Sequence, residues 1–230
     1  MMNSNTGLAS YFKFQNVNWP NLGAAAWETI WMTVVAVVIV AIVGLLLGLL
    51  LFETKDSKSP LVKALNWVVA ALVNVFRSIP FIILIVLLLN FTQVIVGSIT
   101  GPKAAIPSLV FSAAPFYARL VEIAFREVDG GVLEAATAMG ATRWQIIYKV
   151  LIPESMPALV SGITVTAISL IGYTAMAGAI GAGGLGQLAY TDGFQSYNNA
   201  ITLAATVTIV IIVMVFQFLG DRVVKRIDKR

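Results

Sequence analysis

The feature that most constrains this chain is an unbroken apolar run of 24 residues, Thr29–Phe52, which contains no charged side chain. A helix that crosses the hydrocarbon core of a bilayer needs about 20 consecutive apolar residues. In lipid, such a helix also satisfies every backbone polar group internally. The run therefore predicts a transmembrane helix. Gly44 and Gly48, at GxxxG spacing, predict close packing of that helix against another one.

The composition of the whole chain extends this prediction to a polytopic membrane protein. Of its 230 residues, 59% are hydrophobic and 11% are charged, whereas soluble domains average about 45–50% apolar and about 25% charged residues. Cysteine and histidine are both absent, which excludes disulfides, thiolate nucleophiles and histidine metal sites. The net charge of +4 is assigned to cations that flank the helices, so no nucleic-acid partner is expected.

Four further apolar segments are long enough to span a bilayer, which makes five predicted spans in an all-α fold. They cover Leu61 to about Asn90, Lys103–Arg126, Pro157–Ala177 and Ala200–Leu219. The first of these is predicted as one long tilted helix that Pro80 kinks or ends, because proline lacks a backbone N–H. A surface helix followed by a shorter span is the alternative.

The distribution of cations orients the predicted spans, because lysine and arginine concentrate in the cytoplasmic loops of membrane proteins. Twelve of the 15 lysine and arginine residues fall on one side: Lys55, Lys58, Lys63, Arg119, Arg126, Arg143, Lys149, Arg222, Lys225, Arg226, Lys229 and Arg230. Lys13 and Lys103 fall on the other side, and Arg77 lies within a span. The prediction is an extracytoplasmic N-terminus and a cytoplasmic C-terminus.

A stretch between the third and fourth spans is too short and too polar to cross a membrane. Residues Val132–Thr142 contain helix-forming residues and no proline. They are predicted to form a short helix along the inner membrane surface, with a face of small residues that another protein can approach closely. Gly140 either ends this helix or gives space at that face.

The sequence that begins in this stretch and continues to Pro153 resembles the EAA loop of ABC importer permeases, whose pattern is E-A-A-x3-G-x9-I-x-L-P. The corresponding residues are Glu134, Ala135, Ala136, Gly140, Val150, Ile152 and Pro153. Val150 and Ile152 depart from the pattern conservatively, since both keep an apolar helix flank. Four other segments are similar to the methionine importer permeases of that superfamily: Trp27–Thr33, Asn74–Ile85, Ala114–Glu122 and Gly172–Tyr190.

The resemblance implies a type I ABC importer permease architecture, with five transmembrane helices and a cytoplasmic coupling helix, in the prokaryotic plasma (inner) membrane. Residues 26–222 would form the transmembrane domain, between an extracytoplasmic extension (1–25) and a basic cytoplasmic tail (223–230). The coupling segment would be residues 132–153. Its ATPase-coupling residues would be Glu134, Ala135, Ala136, Gly140 and Pro153.

The resemblance also implies an assembly in which this chain forms the transport path and does not hydrolyse ATP. Two copies of the chain would join two ABC ATPase subunits and an extracytoplasmic substrate-binding lipoprotein, to import methionine across the lipid bilayer. ATP and Mg²⁺ would bind on the ATPase partners. The chain itself has no Walker sequence G-x-x-x-x-G-K-[ST], so it is expected to hold no catalytic residue, cofactor or metal.

Side chains within the predicted spans supply candidates for the translocation path. They are Asn74, Arg77, Ser169, Tyr173 and Met176. An arginine inside a membrane helix is expected to face water or a partner. One alternative is that Arg77 snorkels or binds backbone carbonyls freed at Pro80. The other is that the residues recurring near helical period on the fourth span serve helix packing; these are Ser161, Thr164, Ser169, Tyr173 and Met176.

A glycine-rich segment, Gly181–Gly186, reads GAGGLG and matches the dinucleotide-binding pattern G-x-G-x-x-G. That pattern indicates a nucleotide site only where it follows a strand, opens a helix and precedes an acid by about 20 residues. Here it follows a membrane span, and the next acid is Asp192. The glycines are instead expected to allow a tight turn and close backbone contact.

Three other functions are open at the level of sequence. A permease for another amino acid would share the EAA loop. An ion-coupled secondary transporter would usually carry intramembrane acids, but no aspartate or glutamate lies between residues 57 and 121. An intramembrane enzyme would need a nucleophile with its base or a metal set, and the chain has no histidine or cysteine for either.

Overall fold

The computed structural model of the protein describes residues 7–55 and 57–228, and over these residues the chain forms helices and no strands. Two short 3-10 turns, Leu8–Phe12 and Phe14–Asn16, come first. The helices are α1 (Trp19–Lys55), α2 (Pro60–Ser78), α3 (Phe81–Leu87), α4 (Leu89–Val96), α5 (Pro102–Arg126), α6 (Gly130–Ala138), α7 (Arg143–Ile146), α8 (Ile152–Gly178), α9 (Gly184–Gln187) and α10 (Asn199–Ile227). Two π-helical segments, Ile147–Leu151 and Leu188–Gln195, continue α7 and α9.

Five helical segments are long and apolar enough to cross a membrane, which confirms the predicted number of spans. They are α1, α2, α5, the segment Arg143–Gly178 that ends in α8, and α10. α1 begins at Trp19, ahead of the predicted start at Thr29. The Asn18 side chain accounts for the early start, because its Oδ1 accepts a hydrogen bond from the Asn21 N–H at 3.1 Å and caps the helix.

The predicted continuous helix from Leu61 to about Asn90 was wrong. α2 ends at Ser78, and α3 begins only at Phe81. Pro80 causes the break, because it has no N–H to donate and its ring disfavours a helical conformation for the residue before it. Pro80 therefore ends the first part of the segment, as predicted. The second span is α2 alone, Pro60–Ser78.

The helices contribute to two compact units. The first unit comprises the described residues up to Val38, together with Ile79–Ser112 and Ala167–Phe216. The second unit comprises Ile39–Ser78, Ala113–Thr166 and the described residues from Gln217 onward. Each of α1, α5, α8 and α10 supplies residues to both units, so the units interleave along the sequence.

The core of the first unit combines small and branched apolar side chains from α1, α8, α9 and α10. Its most deeply buried members are Ile171, Leu185, Ala200 and Ala205, each at most 1% exposed. Between membrane helices, close van der Waals packing of such side chains supplies the attraction, because lipid is as apolar as the core. The alanines let the helix backbones approach closely, so this unit holds α9 firmly against the long helices.

In the second unit, α1 packs closely on α5 through the two glycines of the GxxxG pair. A Cβ on Gly44 would lie 2.7 Å from Tyr117 Cδ1, and one on Gly48 would lie 2.6 Å from the Ala118 carbonyl oxygen. Both distances are shorter than a real Cβ contact allows, so any larger residue would force the helices apart. The predicted packing role of Gly44 and Gly48 is confirmed.

Candidate functional site

The segment that resembles the EAA loop contains a short helix, α6, with a defined beginning. Asp129 caps it, because the Asp129 Oδ1 accepts a hydrogen bond from the Gly131 N–H at 2.7 Å. The helix runs from Gly130 to Ala138, slightly earlier than the predicted range 132–142. A short helix at this position is therefore confirmed, and its register is fixed by a local cap.

Gly140 ends α6. Its φ of +80° lies in the left-handed region, which glycine adopts at no steric cost. The Gly140 N–H donates to the Thr137 carbonyl at 2.9 Å, and the Ala141 N–H donates to the Ala136 carbonyl at 3.1 Å. These two bonds form a Schellman motif. Of the two roles predicted for Gly140, the structure shows the first, which is to terminate the helix.

The coupling candidates differ in exposure. Glu134 and Ala135 are exposed on α6, whereas Ala136 is 4% exposed and packs within its own chain. Met139, at the end of the helix, is 82% exposed. An open groove of about 440 Å³ runs along this surface, and its lining residues are Asp129, Gly131, Val132, Ala135, Ala136, Met139 and Val150. The exposed part of the predicted small-residue face is therefore centred on Ala135.

A second capped turn leads from α6 back to the spans. Thr142 and Gln145 form a capping box, in which the Thr142 N–H donates to Gln145 Oε1 at 2.8 Å. The π-helical residues Ile147–Leu151 follow, directly before Ile152 and Pro153. Because Pro153 has no N–H, the preceding turn loses a regular helical bond, and wider turns relieve the clash of its ring. Pro153 thus shapes the re-entry into α8.

An ion pair that was not predicted joins this segment to α1. Arg143 Nε donates to Glu53 Oε2 and Arg143 Nη2 donates to Glu53 Oε1, both at 2.7 Å. The sequence identified Arg143 only as one of the cytoplasmic cations. Glu53 and Arg143 are 90 positions apart, and no local spacing connects residues so distant.

The path candidates divide between the two units. Asn74 and Arg77 are exposed on α2 in the second unit. In the described part of the chain, no group accepts a hydrogen bond from the Arg77 guanidinium. The Asn74 carbonyl instead accepts a bond from the Ser78 hydroxyl at 2.8 Å. The alternative in which Arg77 binds carbonyls freed at Pro80 therefore has no counterpart in this structure.

The other path candidates, Ser169, Tyr173 and Met176, lie on α8 in the first unit. Ser169 and Tyr173 are half-buried, and Met176 is 50% exposed. The Tyr173 ring stacks on Phe81, with ring centroids 4.8 Å apart and an angle of 11° between the planes. Phe81 was not predicted at this site, although it directly follows Pro80 and thus begins α3 in a fixed position.

The glycine-rich segment Gly181–Gly186 is hydrogen-bonded to α1 through its backbone N–H groups. The Gly184 N–H donates to Glu28 Oε2 at 2.7 Å, and the Leu185 N–H donates to Thr29 Oγ1 at 2.9 Å. Gly184 has a φ of +71°. A Cβ there would lie 2.7 Å from Thr29 Oγ1. The segment has the close backbone contact expected from its sequence.

A family model described as "binding-protein-dependent transport system inner membrane component" matches residues 59–230. The chain belongs to this family. A relative from Bacillus subtilis (strain 168), named "Methionine import system permease protein MetP", is 64% identical over 217 residues, which are 94% of this chain and 98% of the relative. From Escherichia coli (strain K12), "D-methionine transport system permease protein MetI" is 48% identical over 152 residues, 66% of this chain and 70% of the relative.

Solved structures give the same family fold. A chain of the "MetNI methionine ABC transporter" in an inward-facing conformation matches with a TM-score of 0.86 and 47% identity, covering 91% of this chain and 97% of that one. An amino acid ABC transporter chain matches with a TM-score of 0.70 at 19% identity, over 96% and 98% of the two chains, and shows the fold alone. This inner membrane component is accordingly a transport subunit with a type I importer permease architecture, and not an ATPase.

Proposed function

We propose that this chain is the permease subunit of an ATP-driven methionine importer in the prokaryotic plasma (inner) membrane. One observation carries the proposal: a relative named as a methionine import permease is 64% identical over 94% of this chain and 98% of its own length. At that identity, nearly two thirds of the aligned positions carry the same residue in the two chains.

The assembly would contain two copies of this chain, two ABC ATPase subunits that bind ATP and Mg²⁺, and an extracytoplasmic substrate-binding lipoprotein. The likeness to a chain of the MetNI methionine ABC transporter supports it. The exposed apolar surface of α2 also supports contact with lipid or with a second subunit. Leu61 and Trp67 on that helix are 81% and 72% exposed in the single chain, and apolar side chains so exposed need lipid or a second subunit.

The chain would be oriented with its N-terminus outside and its C-terminus in the cytoplasm. The positive-inside distribution of its lysine and arginine residues supports this orientation. Of the tail cations, Arg222, Lys225 and Arg226 lie at the end of α10, whereas Lys229 and Arg230 lie outside the described residues. The extension 1–25 would be extracytoplasmic; its residues 1–6 also lie outside the described part. In this orientation α6 faces the cytoplasm, where ATP is available.

The coupling step would use α6 as a rigid docking helix. Its two ends are fixed by the Asp129 cap and the Gly140 turn, so a force applied to the helix is transmitted instead of being absorbed by bending. Glu134 and Ala135 would contact the ATPase, because both are exposed. A carboxylate can pair with a cation of the partner, and alanine permits close approach. Ala136, Gly140 and Pro153 would hold the shape of the segment.

Transport would follow from alternating access. ATP binding closes the ATPase dimer, draws the two docking helices together and turns the spans outward, and hydrolysis resets the inward-facing state. The path would be lined by Asn74, Arg77, Ser169, Tyr173 and Met176. Exposed or half-buried side chains at these positions support weak, transient contacts with a zwitterion. Tight binding there would slow release, so the external binding protein would supply most of the selectivity.

The test is reconstitution of the chain with its co-purified ATPase and binding protein in vesicles. Labelled methionine should accumulate only with ATP on the ATPase side, and unlabelled methionine should compete better than other amino acids. Vesicles with the chain alone serve as the control. Uptake that follows an ion gradient without ATP would contradict the proposal and favour a secondary transporter. Better competition by another amino acid would reassign the substrate.

A further inference from the structure

Residues Leu51–Thr54, near the end of α1, contact three other elements of the second unit, and we call them the α1 node. Towards α5, the Phe52 ring packs edge-on against Phe125, with centroids 5.6 Å apart. Phe125 is 1% exposed. The Gly44 and Gly48 contacts already hold α1 on the same helix, so the node cannot shift along α5 without disturbing that packing.

The α1 node also binds α2. The Asn66 Nδ2 donates to the Leu51 carbonyl at 3.1 Å and to Thr54 Oγ1 at 2.8 Å. Leu51 is 2% exposed and Thr54 is 8% exposed. Unpaired polar groups are costly at buried sites, and these bonds give the Asn66 amide two acceptors among buried residues. The two Asn66 bonds therefore hold the cytoplasmic half of α2 against the end of α1.

The third element at the α1 node is the coupling segment. Arg143 follows the Gly140 turn by three positions and opens α7, and its guanidinium makes two parallel bonds of 2.7 Å to the Glu53 carboxylate. Such a bidentate pair fixes direction as well as distance. Lys55 and Arg126 line the same cavity of about 420 Å³, but Arg126 is paired with Glu122. Within the described residues, Arg143 is the cation bonded to Glu53.

We infer that Glu53 and Arg143 are positioning residues that carry the movement of the coupling segment to α1 and, through Asn66, to α2. The inference rests on the proposed function, because it needs α6 to be moved by an ATPase. Arg143 is joined to α6 by a glycine-terminated helix end and a capping box, both short and ordered. A displacement of α6 therefore reaches the α1 node through one charged pair, in addition to reaching α8 along the backbone.

The test compares variants of this pair in the complete complex with its ATPase and binding protein. Glu53→Gln and Arg143→Gln should each lower methionine uptake per ATP hydrolysed by about fivefold, the lower range of coupling between two sites. The ATPase should still co-purify, since neither residue lies on the exposed face of α6. Arg143→Lys should give an intermediate loss, because lysine keeps the charge but not the planar fork.

Exchange of the two charges, Glu53→Arg with Arg143→Glu, should restore at least half of the uptake per ATP. A pair that merely stabilises the fold would lower the protein yield but leave uptake per ATP hydrolysed unchanged in the protein that does fold. Lys55→Gln is the matched control, because Lys55 lines the same cavity without bonding to Glu53, and its uptake per ATP should equal that of the unaltered chain.

The outcomes separate this inference from the proposed function. If the single variants keep normal uptake per ATP while Ala135→Trp on α6 loses it, the docking role stands and the positioning role of the pair is wrong. If Ala135→Trp also transports normally, the docking role itself is wrong. If the single variants fail and the charge exchange fails to the same extent, the pair does not act as a specific link, and the inference is overturned.

Discussion

The end of α6 and the glycine-rich segment Gly181–Gly186 are both short connections that depend on left-handed glycines. They differ in how closely the rest of the chain packs around those glycines. Gly140, which follows α6 and ends it, has open space around it, with no atom within 4 Å of an added Cβ. In the glycine-rich segment, backbone N–H groups are bonded to Glu28 and Thr29. Glycine alone does not mark a functional site. The accessibility of its neighbours decides whether a segment binds a partner or packs against its own chain.

The largest effect should come from Gly184→Ala, which tests the buried side of this comparison. The left-handed φ and an added Cβ at 2.7 Å from Thr29 Oγ1 act together. We expect a loss of about 3 kcal/mol or more in the free energy of unfolding, the sum of backbone strain and overpacking. Unfolding by SDS in mixed micelles measures it. Gly172→Ala is the control, since an added Cβ at Gly172 would have no atom within 4 Å and the Gly172 backbone has no positive φ.

The next largest effect should come from Ala135→Trp, on the exposed side of the comparison. The indole would fill the groove along α6 that Ala135 helps to line, at the position proposed to contact the ATPase. Uptake of methionine should fall by about tenfold or more, a typical cost for a disrupted interface centre, with the stability of the chain unchanged. Ala138→Trp is the matched control, because Ala138 is exposed on the same helix outside the groove lining. If both variants lost methionine uptake equally, Ala135 would not be at the centre of the interface.

Gly140→Ala should have a smaller effect on stability than Gly184→Ala, because only backbone strain opposes it. We expect about 1–2 kcal/mol, the cost of a left-handed conformation for a residue with a Cβ. The same SDS titration compares the two variants directly. The contrast between an open and a packed glycine would be wrong if Gly140→Ala destabilised the chain as much as Gly184→Ala.

The smallest effects are expected from replacing two glutamates, Glu28 and Glu134, which should affect stability and uptake differently. Glu28→Gln keeps an acceptor for the Gly184 N–H but loses the charge, and it should cost about 1 kcal/mol of stability, the difference between charged and neutral hydrogen bonds. Glu134→Gln, on the exposed face of α6, should leave stability unchanged and lower uptake. The comparison would be reversed if Glu134→Gln changed the unfolding free energy and Glu28→Gln did not.

The sequence predicts the parts of this structure that depend on local pattern. An uncharged apolar run predicts α1, Pro80 predicts the end of α2, and the GxxxG pair predicts contact with another helix. Each of these follows from the chemistry of neighbouring residues. The prediction failed where it treated the residues after Pro80 as a continuation of α2, because the pattern is apolar on both sides of the break.

The candidate site was predictable only in part. The spacing of the EAA loop identified the position of α6, but burial depends on packing, and Ala136 is buried while its neighbour Ala135 is exposed. The bond between Glu53 and Arg143 has no local sequence signal, because tertiary structure brings together residues 90 positions apart. Long-range polar pairs of this kind are found from coordinates and not from periodicity.

The most direct measurement for the central claim uses the absence of cysteine from the chain. A single cysteine at Ala135 should react with a membrane-impermeant thiol reagent only from the cytoplasmic side, and it should cross-link to the ATPase in the assembled complex. A cysteine at Gln195, which is exposed at the end of the π-helical segment Leu188–Gln195, should react only from the outside. Labelling of the Ala135 position from outside, or no cross-link to an ATPase, would contradict the account.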